Sequence, residues 1–112
     1  MMQLIRWNKE TLPSLEALRM ALAQQGFQVS EWTDPPGTVY PVHQQPTLQV
    51  RWVVRGKLRI GIPEQDEEIT LQAGDRLELE PNVLYWADVE GVEPVVYLIG
   101  IKKEPVRVKS TK

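Results

Sequence analysis

The sequence contains no cysteine and only one histidine, His43. The absence of cysteine excludes disulfides, thiolate zinc sites, iron–sulfur clusters and cysteine nucleophiles. A single histidine also excludes any site within one chain that needs two or more histidines. Any chemistry in this chain must therefore be built from other residue types, with His43 as its one imidazole.

Strong net charge and long apolar runs are also missing. Thirteen lysines and arginines against fifteen aspartates and glutamates leave a formal net charge of −2, which gives no basic field for nucleic acid. The longest apolar stretch, Val95 to Ile101, has seven residues, too few to span a bilayer. The first residues also lack the basic and apolar regions of a secretory signal. We therefore expect a cytoplasmic protein with neither nucleic-acid nor membrane partners.

The composition that remains is that of one ordinary globular domain. The chain has 112 residues, of which 42% are hydrophobic and 25% are charged. A chain of this length buries roughly two-thirds of the surface that it exposes when unfolded. The sequence is therefore long enough to form one hydrophobic core.

One helix is predicted, from about residue 12 to residue 25. Three leucines recur at helical spacing: Leu15, Leu18 and Leu22. Thr11 is expected to cap the N-terminus, Pro13 fits the first turn, and Gly26 suits the end of the helix. Because this apolar stripe is too narrow to form its own core, we expect residues 1–26 to pack on the outside of the rest.

Residues 27–101 have the pattern of short strands separated by glycine and proline, which predicts an antiparallel sandwich or barrel. The clearest strand alternates strictly between two faces. One face carries Leu48, Val50, Trp52 and Val54, and the other carries Gln49, Arg51, Val53 and Arg55. Residues 102–112 contain five lysines and arginines against one glutamate, and we expect them to form a solvated basic tail.

Two patterns of residues at fixed spacing begin at glycines. In the first, Gly37 is followed by five residues, then His43-Gln44-Gln45, three residues, Gln49, six residues and Gly56. In the second, Gly74 precedes Glu80-Pro81-Asn82 and then Tyr85. With this spacing, residues 30–100 resemble the cupin superfamily. The resemblance implies an all-β fold, a single antiparallel jelly-roll barrel, to which the N-terminal α-helix is added.

The resemblance also locates a metal site and shows what has replaced it. In metal-binding cupins, two histidines and a glutamate of the first motif and a histidine of the second hold one divalent metal. The corresponding residues here are His43, Gln45, Gln49 and Tyr85. Neutral amides are weak metal ligands, and a phenol must lose its proton to bind a metal. We therefore expect no divalent metal and no other cofactor.

Arg51 belongs to the same pocket if the strand alternation continues from Gln49. A buried guanidinium is costly unless it is paired, and it cannot lose its proton. Three interpretations are open. An internal carboxylate, Glu78 or Glu80, pairs with it; it binds a carboxylate or phosphate of a ligand; or a twist or bulge turns it outward.

These observations predict a polar, metal-poor pocket in a module that binds or senses a small molecule without catalysis. Its expected lining is His43, Gln45, Gln49, Arg51 and Tyr85, whose donors favour anionic or hydroxyl-rich ligands. The first alternative is a small enzyme of the isomerase, lyase or dioxygenase type acting on an anionic or sugar-like substrate, with His43 and Tyr85 as acid and base. The second is a structural or assembly protein with a vestigial pocket.

A homodimer is also expected. If Gln49, Arg51 and Val53 face the interior, the row formed by Leu48, Val50, Trp52 and Val54 faces outward. Soluble monomers rarely expose such a patch. The predicted helix is expected to cover only part of it, which leaves the rest for a second copy of the chain.

Overall fold

A computed structural model describes residues 3–102 of the chain. Its strands form two sheets in which every pairing is antiparallel. The predicted all-β fold with one N-terminal helix is therefore confirmed. The ten-residue helix is far too short to cross a membrane, and no other helix in residues 3–102 could do so.

The five-stranded sheet contains, in spatial order, β1 (Gln3–Ile5), β7 (Arg76–Leu79), β4 (Gln49–Arg55), β9 (Val95–Lys102) and β2 (Phe27–Asp34). The four-stranded sheet contains β3 (Val39–His43), β8 (Tyr85–Val89), β5 (Leu58–Ile62) and β6 (Glu67–Leu71). A 3₁₀ turn over Pro63–Gln65 joins β5 to β6. The helix α1 spans Leu15–Gln24.

The main core lies between the two sheets, because one side chain in two of each strand points inward. It is built mostly from aliphatic side chains of both sheets, including Val53, Leu77 and Leu79 from the first and Leu58, Ile60 and Ala87 from the second. Tyr85 and Tyr97 bring hydroxyl groups into this core. The inner face of β4 therefore continues from apolar Val53 to polar Arg51 and Gln49.

The helix is shorter than predicted at its N-terminus. Ser14, not Thr11, is the N-cap, and its hydroxyl accepts a hydrogen bond from the Ala17 backbone N–H at 3.2 Å. Pro13 therefore precedes the cap instead of occupying the first turn. The prediction placed the cap three residues too early because threonine and serine both suit the position, and only the path of the chain decides between them. Gly26 follows the helix with φ +89°, as expected for a glycine at a helix end.

The helix packs on the outer face of the five-stranded sheet and covers the apolar row of β4. Leu18 and Leu22 form a second cluster with Phe27, Val50 and Leu98. In that cluster Val50 is fully buried, and Leu48, Trp52 and Val54 are partly buried. The helix therefore buries Val50 and leaves the other three side chains of the row partly exposed. A homodimer through this row stays a prediction.

The N-terminal segment also contributes an edge strand that the sequence did not predict. β1 pairs with β7, and Asp75 fixes the chain just after it. The Asp75 carboxylate accepts hydrogen bonds from the Trp7 backbone N–H at 2.9 Å, from Arg6 Nη1 at 2.8 Å and from the Gln72 backbone N–H at 3.0 Å. Burial alone would raise the pKa of Asp75, but these donors hold it below its usual value. The predicted basic tail lies, apart from Lys102 at the end of β9, outside the described residues.

Candidate functional site

A cavity of about 260 Å³ lies between the two sheets. All five residues predicted from the sequence line it: His43, Gln45, Gln49, Arg51 and Tyr85. The remaining walls are largely aromatic and aliphatic, with Trp32, Tyr40, Leu58, Ala87, Tyr97, Ile99 and Ile101 joined by Ser30. The cavity is therefore an apolar space into which a few polar groups converge, a common form of small-molecule site.

Arg51 is buried in this cavity, with 8% of its surface exposed. Its Nη2 donates to the Tyr85 hydroxyl at 2.8 Å, and its Nη1 donates to Gln49 Oε1 at 3.0 Å. The guanidinium carbon also lies 5.7 Å from the centre of the Tyr85 ring. The alternative in which a twist or bulge turns Arg51 outward is excluded by this placement.

No carboxylate within residues 3–102 forms an ion pair with Arg51, so the interpretation that Glu78 or Glu80 pairs with it is wrong. Glu78 stands opposite Val50 in the β4–β7 register, and this places it on the outer face of the sheet. There it pairs with Arg76 at 3.0 Å. Glu80 follows β7 at an exposed position.

The environment of Arg51 is unfavourable for a cation. Burial lowers the pKa of its guanidinium from the usual value, and the nearby Tyr85, Tyr97 and Tyr40 hydroxyls oppose this shift. The group nevertheless remains charged at any physiological pH, because arginine is not deprotonated in proteins. A permanent positive charge therefore faces the cavity, and its hydrogen-bond partners among residues 3–102 are neutral.

His43 lies beside Tyr85, with 4.4 Å between the ring centres and 50° between the ring planes. Its Nδ1 is 2.7 Å from the Pro41 carbonyl oxygen. Since a carbonyl oxygen can only accept, Nδ1 must carry a proton, and in the neutral ring Nε2 is then the acceptor. His43 is half-buried and has one ring nitrogen left for a further partner.

Gln45 joins the two patterns of the sequence that begin at glycines. It lines the cavity, and its backbone carbonyl accepts a hydrogen bond from the Asn82 N–H at 2.7 Å. Asn82 stands where the second cupin motif has its last glycine, and its φ is +67°. Asparagine is one of the few residues besides glycine that adopts this left-handed conformation readily. The turn is therefore kept although the glycine is not.

A polar cluster at the site was not predicted: Tyr40 and Tyr97 line the cavity, and both contact Asp34. Asp34 is 6% exposed, and its Oδ2 accepts hydrogen bonds from the Tyr40 hydroxyl at 2.9 Å and from the Tyr97 hydroxyl at 2.7 Å. Burial, followed by the hydrogen bond to Asp34, raises the pKa of both tyrosines above the usual value. Both phenols therefore stay protonated at neutral pH.

The sequence contained a signal for part of this cluster. Tyr97 shares the alternation of Val95 and Ile99, and strand periodicity therefore places all three on one face. Asp34 directly precedes Pro35-Pro36, a sequence typical of a turn. It is instead the last residue of β2, and nothing local distinguishes a buried strand end from a solvated turn.

The four residues at the cupin metal-ligand positions do not fit a divalent metal. Two of the four donor atoms, Gln49 Oε1 and the Tyr85 hydroxyl oxygen, already accept hydrogen bonds from Arg51. A metal bound to them would lie against a guanidinium cation, and the two positive charges would repel each other strongly in a cavity of low dielectric. Within residues 3–102, no three acidic or histidine side chains are grouped so that they could hold a metal.

The structure is similar to solved structures with a double-stranded β-helix. A cupin-like protein from Thermotoga maritima matches with a TM-score of 0.62 and 27% identity over 69% of this chain and 57% of that one. A cupin 2 domain-containing protein from Halorhodospira halophila matches over 100% of this chain and 84% of that one, with a TM-score of 0.70 and 16% identity. The polyketide cyclase RemF from Streptomyces resistomycificus matches over 70% and 56%, with a TM-score of 0.61 and 15% identity.

These likenesses concern the fold. No protein-family model matches the sequence, and no curated protein matches it either. The chain spans a little over half the length of the Thermotoga protein and of the cyclase. Proteins with this fold include enzymes as well as binding or sensing proteins, so the fold alone does not choose between these functions.

Proposed function

The chain has a cupin fold, and on this premise we propose that it is a small-molecule binding module whose ligand carries an anionic group. The anionic group would be a carboxylate or a phosphate, and Arg51 would hold it inside the barrel. The module would act by binding, as a sensor or carrier does, and without catalysis.

The observation that carries this proposal is the buried charge of Arg51. Burying a cation costs several kcal/mol unless an anion accompanies it, and within residues 3–102 no carboxylate forms an ion pair with Arg51. The buried charge of Arg51 therefore does not stabilise the fold by itself. An anionic ligand would supply the missing charge, and a planar guanidinium with several N–H donors suits a carboxylate or phosphate.

The size and walls of the cavity limit the ligand further. Its volume of about 260 Å³ lies below the range of roughly 300–1,000 Å³ that is common for drug-sized ligands. Apart from the polar groups around Arg51, the walls are aromatic or aliphatic. The ligand expected here is therefore a small metabolite with one anionic group and an apolar body.

Calorimetric titration tests this proposal with three probes: butanoate, inorganic phosphate and uncharged butanamide. We expect at least one anion to bind and butanamide not to bind. Arg51→Ala should weaken the anion about tenfold or more, since a charge-assisted hydrogen bond contributes about 1.5–3 kcal/mol. Arg55→Ala is the matched control, because Arg55 lies at the exposed end of the same strand. Equal binding of butanamide, or equal effects of the two alanine variants, would contradict the proposal.

A second candidate function is enzymatic, and one observation favours it. His43 Nδ1 is committed to the Pro41 carbonyl, so the neutral ring presents Nε2 as a base beside the Tyr85 phenol. A histidine base and a phenol acid suit a proton transfer in an isomerase or lyase reaction. Prolonged incubation with any acid that binds, followed by NMR, distinguishes the two functions. Turnover that is lost in His43→Gln would establish the enzyme, and unchanged ligand would support the binding module.

A further inference from the structure

Two groups of polar side chains line the cavity, and their remaining hydrogen-bonding capacities are opposite. In the first group, Arg51 donates to Gln49 Oε1 and to the Tyr85 hydroxyl oxygen. The acceptor oxygens of these two residues are thus engaged. What the group still offers is chiefly donors: the Gln49 amide N–H groups and the Tyr85 O–H proton. This donor group suits an anion.

The second group offers acceptors. Tyr40 and Tyr97 both donate their hydroxyl protons to Asp34 Oδ2, at 2.9 and 2.7 Å. A carboxylate can only accept, so both phenolic protons are committed to it. Burial and this hydrogen bond raise the pKa of Tyr97, so the proton stays in place. The free lone pairs of the two phenolic oxygens can then serve only as acceptors for a ligand.

The two groups lie close enough to contact one small molecule. Arg51 pairs with Ile99, and Val53 pairs with Tyr97, in the β4–β9 register. Arg51 and Tyr97 are therefore diagonal neighbours on the inner face, a relation that separates Cα atoms by about 7–8 Å. Both side chains line the same cavity of about 260 Å³.

The buried charged residue behind each group favours the same end of a ligand as the hydrogen-bonding atoms of that group do. Arg51 is a buried cation behind the donor group, and Asp34 is a buried carboxyl group behind the acceptor group. Within residues 3–102, neither forms an ion pair. A ligand that is negative at one end and carries a polarised hydrogen at the other would be oriented by both.

We infer that the ligand is a small organic acid that also carries a hydrogen-bond donor, a hydroxyl or an ammonium group, a few bonds from its carboxylate. The carboxylate lies at Arg51, Gln49 and Tyr85, and the donor lies at the phenolic oxygens of Tyr40 and Tyr97. This inference rests on the proposed function, because it requires that the cavity binds an acid at all. It adds a second recognition group, which selects among acids.

A matched set of four-carbon probes tests the inference on the unmodified protein. The set consists of butanoate, its 2- and 3-hydroxy derivatives, and its 2- and 3-amino derivatives, each titrated by calorimetry or NMR. We expect the best hydroxy or amino acid to bind about three- to tenfold more tightly than butanoate, as one or two net hydrogen bonds allow. If butanoate binds as tightly as all four derivatives, the inference is overturned and the proposed function stands. If none of the five binds, the inference falls, and the proposed function falls with it only if inorganic phosphate does not bind either.

Two variants assign the preference to the acceptor group. In Tyr40→Phe and in Tyr97→Phe, the ratio between the affinity of the best derivative and that of butanoate should fall toward one. Val92→Ala is the control, since Val92 is 92% exposed, and it should keep the wild-type ratio. Circular dichroism confirms that each variant is folded. Should Tyr97→Phe fail to fold, the half-buried Tyr40 provides the test, and an unchanged ratio in Tyr40→Phe would overturn the assignment.

Asp34→Asn separates the two kinds of donor. An ammonium group depends on the negative charge of Asp34, so the variant should weaken an amino acid about tenfold or more. A hydroxyl group depends only on the phenolic lone pairs, and a hydroxy acid should lose little affinity. A large loss of affinity identifies the donor of the ligand as an ammonium group, and a small loss identifies it as a hydroxyl group. Retention by Asp34→Asn of a tightly bound amino acid would contradict the inferred orientation.

Discussion

Arg51 and Arg76 lie on adjacent strands of the five-stranded sheet, on opposite faces, and both are buried. Arg76 has a carboxylate partner, Glu78, at 3.0 Å and an amide partner, Gln25 Oε1, at 2.8 Å. Its guanidinium carbon also lies 4.8 Å from the centre of the Trp52 ring. Arg51 has neutral partners within the described chain.

By this difference, Arg76 is a structural arginine, whereas Arg51 has a charge that a bound anion can match. The charge of Arg76 is matched by Glu78 and covered by Trp52, so folding itself completes the site on the outer face. Its Nε is the one buried side-chain polar atom without a hydrogen-bond partner among the described residues, a modest cost beside a matched charge. On the inner face, the described residues leave the charge of Arg51 without an ion-pair partner. Of the two buried arginines, we therefore expect Arg76 to contribute to stability and Arg51 to contribute to binding.

The largest loss of stability is expected from Trp52→Glu. Trp52 packs in the cluster beneath α1, donates from Nε1 to the Gly74 carbonyl at 2.9 Å, and covers Arg76. Placing a carboxylate there should lower the free energy of unfolding by about 3 kcal/mol, measured by urea denaturation. Trp32→Glu is the control at a 43% exposed position. Similar losses in the two variants would contradict the distinction between the faces.

The oligomeric state sharpens the same prediction. We expect a homodimer, and light scattering during size-exclusion chromatography measures its mass directly. A mass near 12.9 kDa at all micromolar concentrations would reject the dimer. Since Trp52 packs against its own chain, Trp52→Glu should destabilise the fold whichever mass is found.

The next effect is expected from Arg76→Met. Removing the guanidinium leaves Glu78 partly buried without its partner and takes a cation from the face of Trp52. The free energy of unfolding should fall by about 2 kcal/mol, less than for a fully buried pair because Glu78 keeps some contact with solvent. Chemical denaturation checks this value, and a loss below about 0.5 kcal/mol would show that the outer-face pair is not structural.

High pH should destabilise the protein through the tyrosines of the cavity. Burial and the hydrogen bond to Asp34 raise the pKa of Tyr97 above the unfolded value of 10.0. Stability from this group is therefore complete below pH 10 and is lost as the pH rises above it, by about 1.4 kcal/mol per unit and per group. Denaturation curves between pH 8 and 11.5 measure this slope. The slope should be shallower in Tyr97→Phe, and an identical slope would contradict the assignment.

The smallest change in stability is expected from Arg51→Met, and its sign is opposite. Methionine removes a buried charge and fits an apolar cavity, so the free energy of unfolding should stay equal or rise by up to about 1 kcal/mol. Binding of anions should be lost in the same variant. A loss of stability as large as that of Arg76→Met would show that Arg51 is structural as well.

Metal analysis of the purified protein is expected to find no stoichiometric zinc, iron, nickel or manganese. The reason is that the Arg51 guanidinium already donates hydrogen bonds to Gln49 Oε1 and to the Tyr85 hydroxyl oxygen. Elemental analysis after dialysis measures the content, with Arg51→Met as a second sample. Close to one metal ion per chain in the wild-type protein would contradict the prediction.

Much of the fold followed from the sequence because strand periodicity and turn chemistry are local. The alternation from Gln49 to Arg55 placed Arg51 on the same face as Gln49 without knowledge of any other strand. The spacing of Gly37, Gly56 and Gly74 located the turns. The resemblance to cupins implied four of the cavity residues and alternation added Arg51; all five line one cavity, although their function as a binding site stays a prediction.

Other features depended on the pairing of distant segments. Asp34, Tyr40 and Tyr97 meet because β2 pairs with β9 over eight residues and because β3 closes the opposite sheet. The pairing of Glu78 with Arg76 instead of Arg51 follows from the β4–β7 register. A one-residue shift of that register would reverse the faces, and no local pattern fixes it.

By itself, the sequence determined which side chains of each strand share a face, since the period of a strand is a property of its own backbone. Tertiary structure alone decided which buried charges are matched and which are not. The physical reason is that a charge is matched by distance in space, and the groups within reach of Arg51 and Arg76 come from strands far apart in the chain. Tertiary structure also decided how far the outer row of β4 is buried, because the area that α1 covers depends on where the helix packs.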